Sequence, residues 1–340
     1  MNKTSFSSEN FAGAHPAFIE AIVNANEGKA PSYGNDAFTA ATQRLIQKKF
    51  EADCDIYFAF NGTGANNFAL APLVQSFSSI FCSDVSHLYM DESTAPEALL
   101  GCRLYPIKST HGKIDLDDLT DKLNRVGNVH HPQPAVLTLS QPTEYGTVYS
   151  LEEIKAFSTL LKKHNMYLHI DGARFFNAAV SLNATLNEMI QGVDVLTLGG
   201  TKNGMLFGEA VLFFNESKNE NNKFHLKRSM QLASKMRFIS AQFEAMFTNN
   251  LWYDLAAHAN NSATYFAKKI TDYTPLRVTR PVETNAVFVE IPKNLYLALQ
   301  EVATFYMWNE QTEETRFMFS FDTTTSEIDK FIEQLLLLKV

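Results

Sequence analysis

Asp171 closes the strand-like run "MYLHID" (166–171), and Lys202 follows "VDVLTLGGT" (193–201). A carboxylate at the end of an apolar run is costly to desolvate unless it meets a cation or a donor. A lysine among Gly199, Gly200 and Gly204 sits where backbone can approach a ligand closely. It suits a Schiff-base amine, which needs a depressed pKa and a positioned electrophile. Each residue also has a plainer reading: Asp171 as the N-cap of a helix over 173–180, Lys202 as a solvated loop lysine. Earlier, Gly62-Thr63-Gly64 lies between a strand-like and a helix-like run. Backbone N–H groups, the helix dipole and the Thr63 hydroxyl could hold a phosphate there. An ordinary turn accounts for it as well. It is not a dinucleotide fingerprint, because Asn67 stands where the third glycine belongs.

His87, in "VSHLYMDES" (85–93), is read either as a structural histidine or as a stacker on a ligand ring. Arg174 is either half of a surface ion pair or an anion clamp. The constellation says more than its parts. A phosphate turn, a ring stacker, a strand-end aspartate and a strand-end Thr-Lys, in that chain order, match the needs of pyridoxal 5'-phosphate. That cofactor requires an anion cradle, a lysine for its aldehyde and a carboxylate on its pyridinium nitrogen. The carboxylate keeps the ring nitrogen protonated and so makes the ring an electron sink. His130-His131 and His169 lack the spacing of a metal motif, so no metal is expected. No Gly-x-Ser-x-Gly elbow and no Walker-type lysine are present.

These residues need elements to carry them. Strand-like runs fall at 55–60, 79–83, 135–140, 166–171, 193–198 and 209–214, with helical patterns over 63–75, 115–125 and 150–164. Ser150 and Glu153 form a capping box for the last of these. Apolar strands alternating with helices predict an α/β domain with a mostly parallel sheet, its strand-end loops gathered on one edge. From about 250 the pattern changes to a long helix (251–270), "NAVFVEIP" (285–292), a helix near 293–303, "TRFMFSF" (315–321) and a last helix (325–338). The expected division is a large domain over 1–248 and a small α+β domain over 249–340.

Composition bounds the rest. The chain has 340 residues, 45% hydrophobic and 19% charged, enough for a sizeable core. A net charge of −8 offers no basic face for nucleic acid. Three scattered cysteines suit a reduced compartment, and no run approaches a membrane span, so a cytoplasmic protein is expected.

Over nearly its whole length the chain resembles the low-specificity threonine aldolases, fold-type-I pyridoxal-phosphate enzymes of the β-eliminating lyase-like group. "SSENFAGAHP" (7–16) looks like the family's opening Ser-Asp-Thr segment, "SYGND" (32–36) its Tyr-Gly-Asp-Asp signature, and "NGTGAN" (61–66) its phosphate turn. "SHLYMDE" (86–92), "HIDGARFFNAAV" (169–180) and "GGTKNG" (199–204) carry the ring histidine, the ring-nitrogen aspartate and the Schiff-base lysine. The resemblance implies roles for Lys202, Asp171, His87 and His130 in catalysis, with His130 near the substrate β-hydroxyl. It implies that Gly62, Thr63, Gly64, Thr201 and Arg174 help hold the cofactor, with Arg237 of "SKMR" (234–237) reaching a phosphate in the adjacent subunit. Ser8, Tyr33, Arg174 and Arg316 would meet the substrate. The activity implied is retro-aldol cleavage of L-threonine or L-allo-threonine to glycine and acetaldehyde, in a homodimer or homotetramer with shared sites. The alternative is β-elimination from another amino acid. The segments differ from the family at Ser-Glu-Asn, at Gly-Thr-Gly and in "SQPTEYG" (140–146).

Overall fold

Runs of apolar and β-branched residues become strands because both of their faces can be covered. The computed structural model describes residues 3–338. Seven strands form its main sheet: β1 (Cys54–Ala59), β2 (Ser78–Ser83), β3 (Arg103–Ile107), β4 (Gln133–Ser140), β5 (Tyr167–Gly172), β6 (Val195–Gly199) and β7 (Glu209–Phe214). Their order is β1-β7-β6-β5-β4-β2-β3. β7 runs against both its neighbours, and the other ladders are parallel. Every residue of β2, β6 and β7 is buried, as a sheet covered on both faces requires.

Around it lie α1 (Pro16–Ala25), α2 (Ala37–Phe50), α3 (Gly62–Leu70), α4 (Leu151–Lys163), α5 (Phe175–Ser181) and α6 (Arg237–Phe247). The Ser150–Glu153 capping box at the start of α4 is formed. α3 stops short of residue 75, since Pro72 has no N–H to continue the ladder. The expected 115–125 helix divides into a turn over Leu116–Thr120 and a 3-10 turn over Leu123–Arg125. β3 has no forecast in the sequence because Pro106 interrupts it. An edge position, where the missing donor is not needed, makes that proline tolerable.

Beyond α7 (Leu251–Tyr273) comes a second, antiparallel sheet of β8 (Arg277–Val278), β9 (Ala286–Glu290), β10 (Tyr306–Asn309) and β11 (Glu314–Met318), in the order β8-β9-β11-β10. α8 (Thr325–Leu337) packs on it. The core here is aromatic, with Phe266, Phe305, Phe317 and Phe331 within one cluster. Phe6 joins that cluster from the far end of the chain. Thr4 and Ser5 pair with Ala303 and Thr304, and Met318 N–H donates to Phe6 O at 2.8 Å. The first residues are thus tied to the last sheet, and the tie sets Ser8 and Glu9 over the edge of the first. Among the described residues no helix is long and apolar enough to cross a membrane.

Candidate active site

Parallel register brings strand ends to one edge. Ser140, at the end of β4, pairs with Asp171 on β5, and Asp171 with Thr197 on β6. Two glycines let the ends of β5 and β6 close up. A Cβ on Gly199 would lie 2.4 Å from Ala173 O, and one on Gly172 2.7 Å from Thr197 O. The loops beyond, the start of α3 and the N-terminal segment enclose a cavity of about 760 Å³.

Asp171 faces this cavity from a buried position. Its Oδ1 accepts from Ala173 N–H at 3.1 Å, and its Oδ2 from Asn66 Nδ2 at 2.9 Å. It does not cap α5, whose N-cap is Arg174. Burial alone would raise the carboxyl. His87, His169, the Asn66 amide and Lys202 outweigh burial and keep it ionised. Asn66 also donates to Glu92 Oε1 at 2.9 Å, and the same oxygen lies 3.0 Å from His87 Nδ1. This bond to Glu92 raises the His87 imidazole above its ordinary value, against burial. His87 N–H donates to Glu144 at 2.7 Å, as does Ser140 Oγ at 2.6 Å. Burial pushes the Glu144 carboxyl upward.

Lys202 follows β6 in a 3-10 turn and lines the cavity. Desolvation there, with Arg174 adding to it, pushes its ammonium below the usual lysine value against the pull of Glu9, Asp171 and Glu209. Among the described residues Lys202 makes no ion pair, so its amine is uncommitted. Thr201 Oγ1 accepts from Gly208 N–H at 3.1 Å. Glu209 accepts from Gly200 N–H at 2.8 Å, and burial raises its carboxyl to about 7. At the start of α3, Gly62 and Thr63 line the cavity. Gly64 stands behind them, its N–H bound to the Asn61 cap at 2.8 Å.

Three residues crowd the opposite wall. Arg174 is held through two nitrogens by Glu9, which also accepts from Asn285 at 2.7 Å. Burial alone would raise Glu9, but Arg174 prevails and holds it at about 2. Arg316, from β11, has no carboxylate partner among the described residues, and its Nε is buried without an acceptor. Burial and the neighbouring Arg174 push it down to about 10. Ser8 completes this wall.

Four expected residues do not line the cavity of their own chain. Besides Gly64, these are Tyr33, half exposed at a positive φ of 61°, Arg237, whose guanidinium reaches Gly28 O at 3.4 Å, and His130, exposed in a turn capped by Asn128. Glu9, Asn66, Glu92, Glu144 and Glu209 escaped the sequence reading. Only for Glu92, five residues past His87, was there a signal in local spacing.

A family model described as beta-eliminating lyase matches residues 5–294. The chain belongs to the β-eliminating lyase family. Its similarity to low specificity L-threonine aldolases is extensive. It is 39% identical over 326 residues to the one from a Pseudomonas species, covering 95% of this chain and 94% of the relative. The Pseudomonas aeruginosa relative matches with the same identity and coverage. Among solved structures, Leishmania major threonine aldolase superposes with a TM-score of 0.94 at 27% identity, over 98% of this chain and 99% of that one. β-eliminating lyases of this kind are pyridoxal-phosphate enzymes. The cavity of this family member fits the cofactor: an uncommitted lysine, an ionised aspartate and a glycine turn at a helix start share one enclosure.

Proposed function

We propose that this β-eliminating lyase cleaves a β-hydroxy-α-amino acid, L-threonine or L-allo-threonine, between Cα and Cβ to give glycine and acetaldehyde. The observation that carries the reading is the pairing of uncommitted Lys202 and ionised Asp171 with Arg316, a cation without a counter-ion among the described residues, in the same cavity. Pyridoxal phosphate, when bound, supplies the electron sink for the bonding pair of Cα–Cβ.

The protein does the rest. Lys202 would hold the cofactor through its aldehyde. Its lowered pKa keeps a neutral, nucleophilic fraction available. Asp171 would pair with the ring nitrogen, and Asn66 and Ala173 N–H hold the carboxylate still. Gly62, Thr63 and Thr201 hold the phosphate, with Gly64 serving the turn from behind. Arg316 and Ser8 grip the substrate carboxylate. Arg174 adds field there but keeps Glu9 as its own partner. A fixed carboxylate would orient the substrate and so decide which Cα bond is broken. His87, anchored through Nδ1 to Glu92, would face the cofactor ring. It takes the β-hydroxyl proton directly or through a water that it positions.

Tyr33, Arg237 and His130 lie off the cavity of their own chain, which favours roles for them in a neighbour's site. We therefore infer a homodimer or homotetramer with shared sites, acting in the cytoplasm, and a division of the chain into 1–248 and 249–340. Acetaldehyde release from L-allo-threonine by the cofactor-loaded protein tests the reaction. Lys202→Ala is expected to abolish release while leaving the circular-dichroism spectrum unchanged. Release that persists in that variant overturns the role of Lys202, and 2-oxobutyrate with ammonia from the wild type overturns the retro-aldol reading.

A further inference from the structure

A half-buried cation needs something to fix its direction, and for Arg316 that is not a carboxylate. The only hydrogen bond its guanidinium makes among the described residues is a long one, 3.4 Å, to Ser7 O. Its Nε has no acceptor. Aromatic faces surround it instead: the guanidinium carbon lies 4.6 Å from the centre of the Trp308 ring and 5.7 Å from that of Tyr306. Arg174, on the same wall, is tied to Glu9, so the two arginines are held by opposite means.

The backbone is arranged to bring Trp308 there. Tyr306 pairs with Arg316 and Met307 with Thr315, but Glu314 pairs with Asn309, so the ladder skips Trp308. Such bulges re-aim a side chain, often beside an active site. Trp308 then lines the cavity next to Arg316. Its own ring is braced edge-on by Tyr145 at 5.9 Å and Phe288 at 5.7 Å. Arg280, itself paired with Glu314 at 2.7 Å, closes over Tyr145 at 3.5 Å.

We propose that Trp308 is a positioning residue that holds the Arg316 guanidinium by its ring face, leaving the outward nitrogens free for the carboxylate of the amino-acid substrate. A ring face directs a cation without competing for its hydrogen bonds, as a carboxylate partner would. The inference rests on the reading of Arg316 as the carboxylate grip.

The test is a double-mutant cycle on the cofactor-loaded protein, with KM and kcat for L-allo-threonine and the dissociation constant of glycine by calorimetry. Trp308→Ala is expected to raise KM and the glycine constant about tenfold, with kcat changed less than about threefold. Trp308→Phe, which restores a ring face, should recover most of the loss. In the Arg316→Ala background, Trp308→Ala should add nothing. An equal loss with and without Arg316 overturns the proposal, because Trp308 would then touch substrate itself. So does a matching fall in kcat and cofactor affinity, the mark of a merely structural residue. Should Arg316→Ala alone leave KM unchanged, it is the reading of Arg316 that falls.

Discussion

Six carboxylates line the cavity around Lys202, and they differ in what they face. Glu9 meets a guanidinium and Asp171 meets donors and cations, so both stay charged. Glu209 has only a backbone N–H, the Thr201 hydroxyl and the more distant pull of Lys202 against its burial, and its carboxyl rises from 4.5 to about 7. That shift has a sign for stability. Between pH 4.5 and 7 the folded chain holds a proton that the unfolded chain has released, so rising pH draws the equilibrium toward unfolding. The cofactor-free protein should lose on the order of 3 kcal/mol relative to Glu209→Gln across that window, with no further divergence above about pH 8. Urea midpoints of both proteins from pH 5 to 8 check it, and parallel curves would contradict the shift. Asp171 and Lys202 were legible in the sequence because each ends an apolar run, where a charge calls for a reason. Glu9 was not, since its partner Arg174 stands 165 residues away and the carboxylate carries no local pattern.

Six strands of the main sheet were legible from their apolar runs, which burial on both faces demands. β3 was not, because a proline argues against a strand unless the strand is known to lie at an edge. The contact between β5 and β6 was also invisible, although its glycines were in plain view. Gly199 is required because the carbonyl of Ala173 occupies the space of its Cβ. Gly199→Ala should therefore push the strand ends apart and cost about 1–3 kcal/mol, as overpacking does. It should weaken cofactor binding too, since Asp171 and Lys202 flank that seam. Urea unfolding and a cofactor titration followed by absorbance measure the two effects, and an unperturbed cofactor affinity would show that the seam does not position the pair.

At the scale of the whole molecule, the proposed roles of Arg237 and His130 rest on sites shared between copies, since neither lines the cavity of its own chain. Mixing inactive Lys202→Ala subunits with inactive Arg237→Ala subunits should restore roughly a quarter of wild-type activity. Half of randomly assorted dimers are hybrids, and one of the two sites in each hybrid is intact. No recovery after exchange of subunits would mean that Arg237 serves its own chain. Molecular scale is also where the sequence said least, for nothing in "TSF" (4–6) announces a pairing with Ala303–Thr304 and Met318. That placement has a consequence in time. Ser8 and Glu9 are made about 310 residues ahead of Met318, yet the strands that seat them are complete only once Met318 has been made. At 5–20 residues per second the delay is on the order of 15–60 s. Once Arg174 has been made it still has no anchored Glu9 to meet, and the nascent chain carries Asp171 and Lys202 before it can close the pocket around them.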